Sequence, residues 1–135
     1  MSTPREVTLA IRLSWTVLVV ETAARLWRIS RDPDAGNFSR LGQSLTTATV
    51  FSAALVALFI FFAARRRNWA RIALLVSTLG AWCLWLLWLV WFRAGVEYLW
   101  WEWLGYGSLT AMELVALILL FYGDGARWYR SMGRE

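Results

Sequence analysis

The chain has 135 residues, 59% hydrophobic and 16% aromatic, with eleven Trp, one Cys, no His and a formal charge of +5. Its mean hydropathy is +0.49, which suits a polytopic membrane protein and excludes a soluble domain with a charged outer face. The missing histidine removes Ser-His-Asp catalysis, haem ligation by His and most zinc sites, and the lone Cys83 cannot form an internal disulfide.

Four apolar stretches follow one another, at 7–26, 44–64, 72–92 and 104–122. A helix rises ~1.5 Å per residue and needs ~20 residues to cross ~30 Å of hydrocarbon, so each is long enough to span a bilayer. The spans predict helices over about 4–28, 44–64, 70–92 and 103–123, within a single transmembrane domain.

The first helix opens on Thr3-Pro4-Arg5-Glu6, which reads as an N-cap, a proline at the first helical position and a closing glutamate. Arg12 interrupts the apolar run and Thr22-Ala23-Ala24 is a poor cleavage site, so a retained helix is expected here, not a signal peptide. Glu21 has Arg25 four residues on, the spacing of a local ion pair. The link 29–43 carries Asp32-Pro33-Asp34-Ala35-Gly36-Asn37, dense in turn formers and out of register for a calcium loop. Asn37-Phe38-Ser39 matches a glycosylation sequon, which matters only in a eukaryotic secretory pathway.

The second helix carries Thr49, Ala53 and Ala57 at four-residue spacing, and the third carries Ala73, Ser77 and Ala81. Such small-residue ridges let helices approach closely in lipid. Between the two lie Arg65, Arg66, Arg67 and Arg71. Trp82, Trp85, Trp88 and Trp91 recur every three residues along the third helix. Trp91, with Trp100, Trp101 and Trp103 of the aromatic third link, is expected at a lipid–water boundary, where amphipathic rings anchor helices. Trp82 and Trp85 lie deeper, as packing or as the wall of a pocket for a flat or cationic ligand.

All fourteen basic residues are Arg, and they gather at the ends of the apolar segments. Basic residues in short loops mark the cytoplasmic side. With both termini and 65–71 inside, nine Arg lie inside and five outside. This predicts an all-α, integral membrane, up-down four-helix bundle, N-in and C-in. The Arg65, Arg66, Arg67 and Arg71 cluster then reads as an anchor on anionic lipid, and nucleic acid is not an expected partner.

Glu113 sits near the middle of the fourth helix and shares a face with Tyr106 and Thr110. A charge at mid-bilayer costs roughly 2.5–3.5 kcal/mol on insertion scales, so the residue should face the protein and have a partner. Ser77 and Thr78 fall near its depth. Arg12, about 6 Å nearer the inner boundary, is expected to reach it, because first and fourth helices are usually neighbours in such a bundle. The tentative ligand or proton site is therefore Glu113, Thr110, Tyr106, Arg12, Trp82 and Trp85, with no catalytic residue, metal or cofactor.

Pro4-Arg5-Glu6-Val7, Arg67-Asn68-Trp69-Ala70-Arg71-Ile72 and Ala126-Arg127-Trp128-Tyr129-Arg130 together resemble a group of uncharacterised small four-span bacterial inner-membrane proteins. The resemblance implies a bacterial inner membrane and carries over no activity or site residues. Two functional readings follow from the sequence. One is a non-enzymatic binding or accessory module whose partner, beyond the bilayer, is another membrane protein or a second copy of the chain. The other is a small proton-coupled exporter of hydrophobic cations using Glu113. Small multidrug resistance transporters are similar in size, span number, membrane carboxylate and aromatics, although here the Glu is on the fourth helix and the loops are Arg-rich.

Overall fold

The computed structural model describes residues 4–31, 40–65, 67–91 and 100–130. Four long helices, α1 (Arg5–Arg31), α2 (Arg40–Ala64), α3 (Asn68–Trp91) and α4 (Trp100–Phe121), precede a short α5 (Gly123–Arg130). The first four are long and apolar enough to cross a membrane, and together they make an all-α bundle. Several run past the boundaries that hydropathy suggests, because backbone hydrogen bonding continues where apolar side chains stop. The capping residue Thr3, the turn-rich 32–39 with its sequon, the link residues 92–99, Arg66 and Arg134 lie outside the described residues.

α1 is the central element of the packing, lying along both α2 and α4, and α2 packs in turn on α3. The stripe that α4 turns inward is Glu102, Tyr106, Leu109, Glu113, Ala116 and Leu120, and that of α2 is Thr46, Thr49, Ala53, Val56, Ile60 and Ala63. Both alternate steps of three and four, the seam of helices packed nearly parallel to a neighbour's axis. α1 is tied at both ends, by Glu6 to α5 and by Arg28 to α4, and the second contact sets its register against α4. Glu6 meets Asp124 and Arg28 meets Glu102, two pairs whose residue numbers each total 130.

The fully packed core gathers at one end. Val7, Ala10, Ile60, Ala63, Ala70, Leu74, Leu120, Trp128 and Tyr129 form it. This end also carries Arg5, Arg65, Arg67, Arg71, Arg127 and Arg130, and is called the basic end below. Towards the far end burial falls away: on α3, every described side chain from Leu79 to Leu87 is exposed except Trp82, which is half-buried. The ridge on α2 lies inward, with Thr49, Ala53 and Ala57 all half-buried. That of α3 turns inward only at Ala73 and Ser77, and Ala81 is exposed.

At the basic end, three helix termini are each capped by a side chain from a different helix. A terminus leaves four backbone groups without intrahelical partners. Glu6 of α1 accepts hydrogen bonds from the N–H groups of Asp124 (3.0 Å) and Gly125 (3.3 Å), which open α5. The capping box expected with Thr3 lies outside the described residues. Tyr129 of α5 donates its hydroxyl to the Ala63 carbonyl that closes α2, at 2.6 Å. Arg71 of α3 donates to the Leu120 carbonyl at the end of α4, at 3.3 Å. The α4–α5 corner depends on two glycines. Gly123 has φ +62°, in the left-handed region, and a Cβ on Gly125 would lie 2.2 Å from the Leu119 carbonyl oxygen.

Candidate functional site

Glu113 occupies the point where α3 and α4 come together. These two helices do not pack along their length; they meet through side chains. Thr78 donates its hydroxyl to Glu113 Oε1 at 3.0 Å, and the Trp82 indole N–H donates to Oε2 at 3.3 Å. Thr78 and Trp82 are one turn apart on α3, so their donors reach both oxygens of one carboxylate. Apart from the aromatic Trp128 and Tyr129, Thr78 is the one side chain with a polar group that is buried among the described residues, at 6% exposure. Ser77 hydrogen-bonds its own helix at Leu74 instead.

A ladder of polar groups extends from Glu113 towards the far end. The charges that act on Glu113 are those of Glu21 and Arg25, themselves an ion pair one turn apart on α1. Further out, Arg28 pairs with Glu102 at 2.8 Å and stands over the Tyr106 ring at 5.1 Å. Trp85 and Trp103 meet edge to face across the gap between α3 and α4, with ring centroids 6.1 Å apart. Trp82 is therefore a hydrogen-bond donor and Trp85 half of an interhelical aromatic pair.

Arg12 does not join this group. Among the described residues its guanidinium forms no ion pair with Glu113, and it is exposed. The α1–α4 register sets position 17 opposite Glu113, which leaves Arg12 five residues, ~7.5 Å, nearer the basic end. The face is wrong as well. Successive residues turn by about 100°, and the buried Val7, Ala10 and Val17 share the side of α1 opposite Arg12. Thr110 is also exposed, off the inward stripe to which Tyr106 and Glu113 belong.

Of the aromatic anchors, Trp100 and Trp103 are exposed near the start of α4, whereas Trp91 and Trp101 are helical with side chains outside the description. Arg65 is exposed over the Phe61 ring at 4.3 Å and Arg67 is exposed. Arg71 is more than an anchor. Its guanidinium is held over Phe121 at 5.0 Å and Tyr129 at 4.7 Å while it caps α4. The Arg28–Glu102 pair and the Arg71 setting escape a reading by motif, since their partners lie 74 and 49 residues away. A register taken from the span ends would have suggested the first.

No protein family, curated protein or solved structure matches this chain.

Proposed function

We propose that the protein is a non-enzymatic binding module of a membrane assembly, oriented N-in and C-in in a bacterial inner membrane, and that it receives a transmembrane helix of another protein against α3 and α4. The observation that carries this reading is the unfilled far half of α3 and α4: from Leu79 to Leu87 every described side chain but Trp82 is exposed, whichever side of α3 it is on. A Cβ at Gly80, Gly105 or Gly107 would meet nothing within 4 Å, so three small-residue notches stand without a helix in them. Helices in lipid associate by close packing at such notches, because lipid offers no hydrophobic contrast. Glu113, with both oxygens engaged by α3 donors, acts here as a clasp that holds the two helices together.

The test is site-specific photo-crosslinking in native membranes. A photoreactive residue at Leu84 or Leu104, exposed on the far halves of α3 and α4, should yield a discrete heavier product identifiable by mass spectrometry. The same residue at Val19 on α1 should not. Products from all three sites alike, or from none, would remove the reading. A product of twice the chain mass would identify the partner as a second copy.

One observation favours the exporter. Among the described residues no cation lies within ion-pair distance of Glu113, so its charge is free for a proton or a hydrophobic cation beside Trp85 and Trp103. Tetraphenylphosphonium binding by the purified protein, with proton release and loss in Glu113→Gln, is the expected signature. No binding by the unaltered chain would end that alternative.

A further inference from the structure

Among the described residues, the basic end holds guanidinium donors with no protein anion to receive them. Arg71 is fixed by the Phe121 and Tyr129 rings and by the Leu120 carbonyl. A guanidinium carries five N–H donors; among the described residues that of Arg71 has one protein acceptor, the Leu120 carbonyl, and its buried Nε has none. Arg130 is the residue next to Tyr129, over whose ring Arg71 stands at 4.7 Å, and its own Nε donates to the Ala126 carbonyl at 3.4 Å. Arg67 precedes Arg71 by one helical turn and is exposed.

Two like charges held near each other repel unless an anion lies between them. The described carboxylates at this end are committed elsewhere. Glu6 is bound by the N–H groups that open α5, and Asp124 is paired with Arg127 at 3.1 Å. Arg71 lies within one turn of Asn68, where the apolar window of α3 begins, and over the ring of Phe121, where that of α4 ends. That is the level of phosphate groups in a bilayer.

We propose that Arg71 and Arg130 form a binding site for the phosphodiester of an anionic phospholipid, with Arg67 at its margin. Guanidinium groups match phosphate oxygens in pairs, and a planar Arg already held by two rings loses little freedom on binding. The acyl chains would run along the exposed apolar surface of α3, past Ile72 and Val76. The proposal rests on the multi-pass reading but not on the partner helix.

The experiment uses the full chain in a neutral detergent, with lipid binding read by native mass spectrometry. Phosphatidylglycerol should form a saturable adduct, and phosphatidylcholine should bind about tenfold more weakly. Arg130→Gln, at an exposed position, should weaken phosphatidylglycerol binding by about tenfold. Arg71→Gln should do at least as much, and a far-ultraviolet spectrum would show whether it folds. Arg127→Gln removes a charge from the same end, but one already paired with Asp124, and should leave the adduct in place. Equal loss in Arg127→Gln would mean a diffuse charge effect and overturn the site. So would undiminished binding in Arg130→Gln, or equal binding of the two lipids. Millimolar inorganic phosphate displacing the lipid would assign the site to free phosphate instead.

Discussion

Glu113 receives two hydrogen bonds from neutral donors on one neighbouring helix, and this makes its energetics testable donor by donor. Thr78→Val removes the donor to Oε1, and Trp82→Phe removes the donor to Oε2 while keeping a ring. Each should destabilise the fold by about 1.5–3 kcal/mol, the range for hydrogen bonds to a charged acceptor, read by reversible unfolding in mixed micelles. Glu113→Gln keeps an acceptor for the Trp82 N–H and turns the other oxygen into a donor, which the Thr78 hydroxyl can accept, so both contacts can persist in weaker, neutral form. Its effect should be strongly non-additive with Thr78→Val. With Arg12→Leu it should be additive within about 0.5 kcal/mol, because Arg12 is on the far face of α1; coupling to Arg12 would contradict the register. At the basic end the informative residue is Tyr129, whose hydroxyl burial pushes up to about 12 against the opposing Arg71 charge. Its neutral form is the one the fold favours. The stabilisation is therefore complete below the unfolded value of about 10 and is lost as pH rises through about 12. Tyr129→Phe leaves the Ala63 carbonyl unbonded and should cost about 1–3 kcal/mol at neutral pH. The difference between the two proteins should shrink only above about pH 10; a difference gone by pH 9 would mean that this hydroxyl is not buried as described.

At the level of elements, the α4–α5 corner is the least forgiving feature. Gly123→Ala puts a side chain into the left-handed region at a cost of roughly 1–2 kcal/mol. Gly125→Ala drives a Cβ against the Leu119 carbonyl oxygen at 2.2 Å, and backbone cannot yield as a flexible side chain can. The expected result for Gly125→Ala is displacement of α5, seen as faster hydrogen exchange over 123–130 with the rest of α1 and α2 unchanged. Uniform loss of protection would show instead that the corner and the bundle unfold together. This corner also marks where the sequence was legible and where it was not. The four spans stand out because each sustains apolar character over a bilayer's width. α5 does not, because its eight residues mix Gly, Arg and aromatics and gain their order from Glu6, Ala63 and the core. The depth offset between Arg12 and Glu113 could be read from the chain, whereas their faces could not. α1 presents apolar residues on every side, so no stripe in it tells which side turns inward. The ridge of α2 was legible because all three of its residues turn inward, and that of α3 only as far as Ser77, beyond which the helix leaves the packed core.

For the whole molecule, core, caps and most of the arginines share one end, and this couples folding to orientation. Both ends of the described chain lie there, since Glu6 binds the start of α5. Whatever side of the membrane receives one receives the other. Basic residues in short loops resist translocation, so the side with more Arg should be retained in the cytoplasm. The chain carries nine Arg on the side of its termini and five on the other. A reporter active only in the cytoplasm should therefore work after Glu135, and one active only outside should work when inserted within 32–37; the reverse pattern would overturn the orientation. The margin is what makes a sharper test possible. Replacing Arg65, Arg66 and Arg67 with Gln leaves six Arg against five, too small a bias to fix one topology. Arg65 and Arg67 are exposed and cap no helix terminus of another element among the described residues, so packing within the bundle should survive the change. The expected outcome is a mixed population, with both reporters partly active. Restoring three Arg after residue 130 should return the protein to a single orientation. If the triple variant stays wholly in its original topology, then charge asymmetry is not what orients the chain, and the packing of its basic end must do so during insertion.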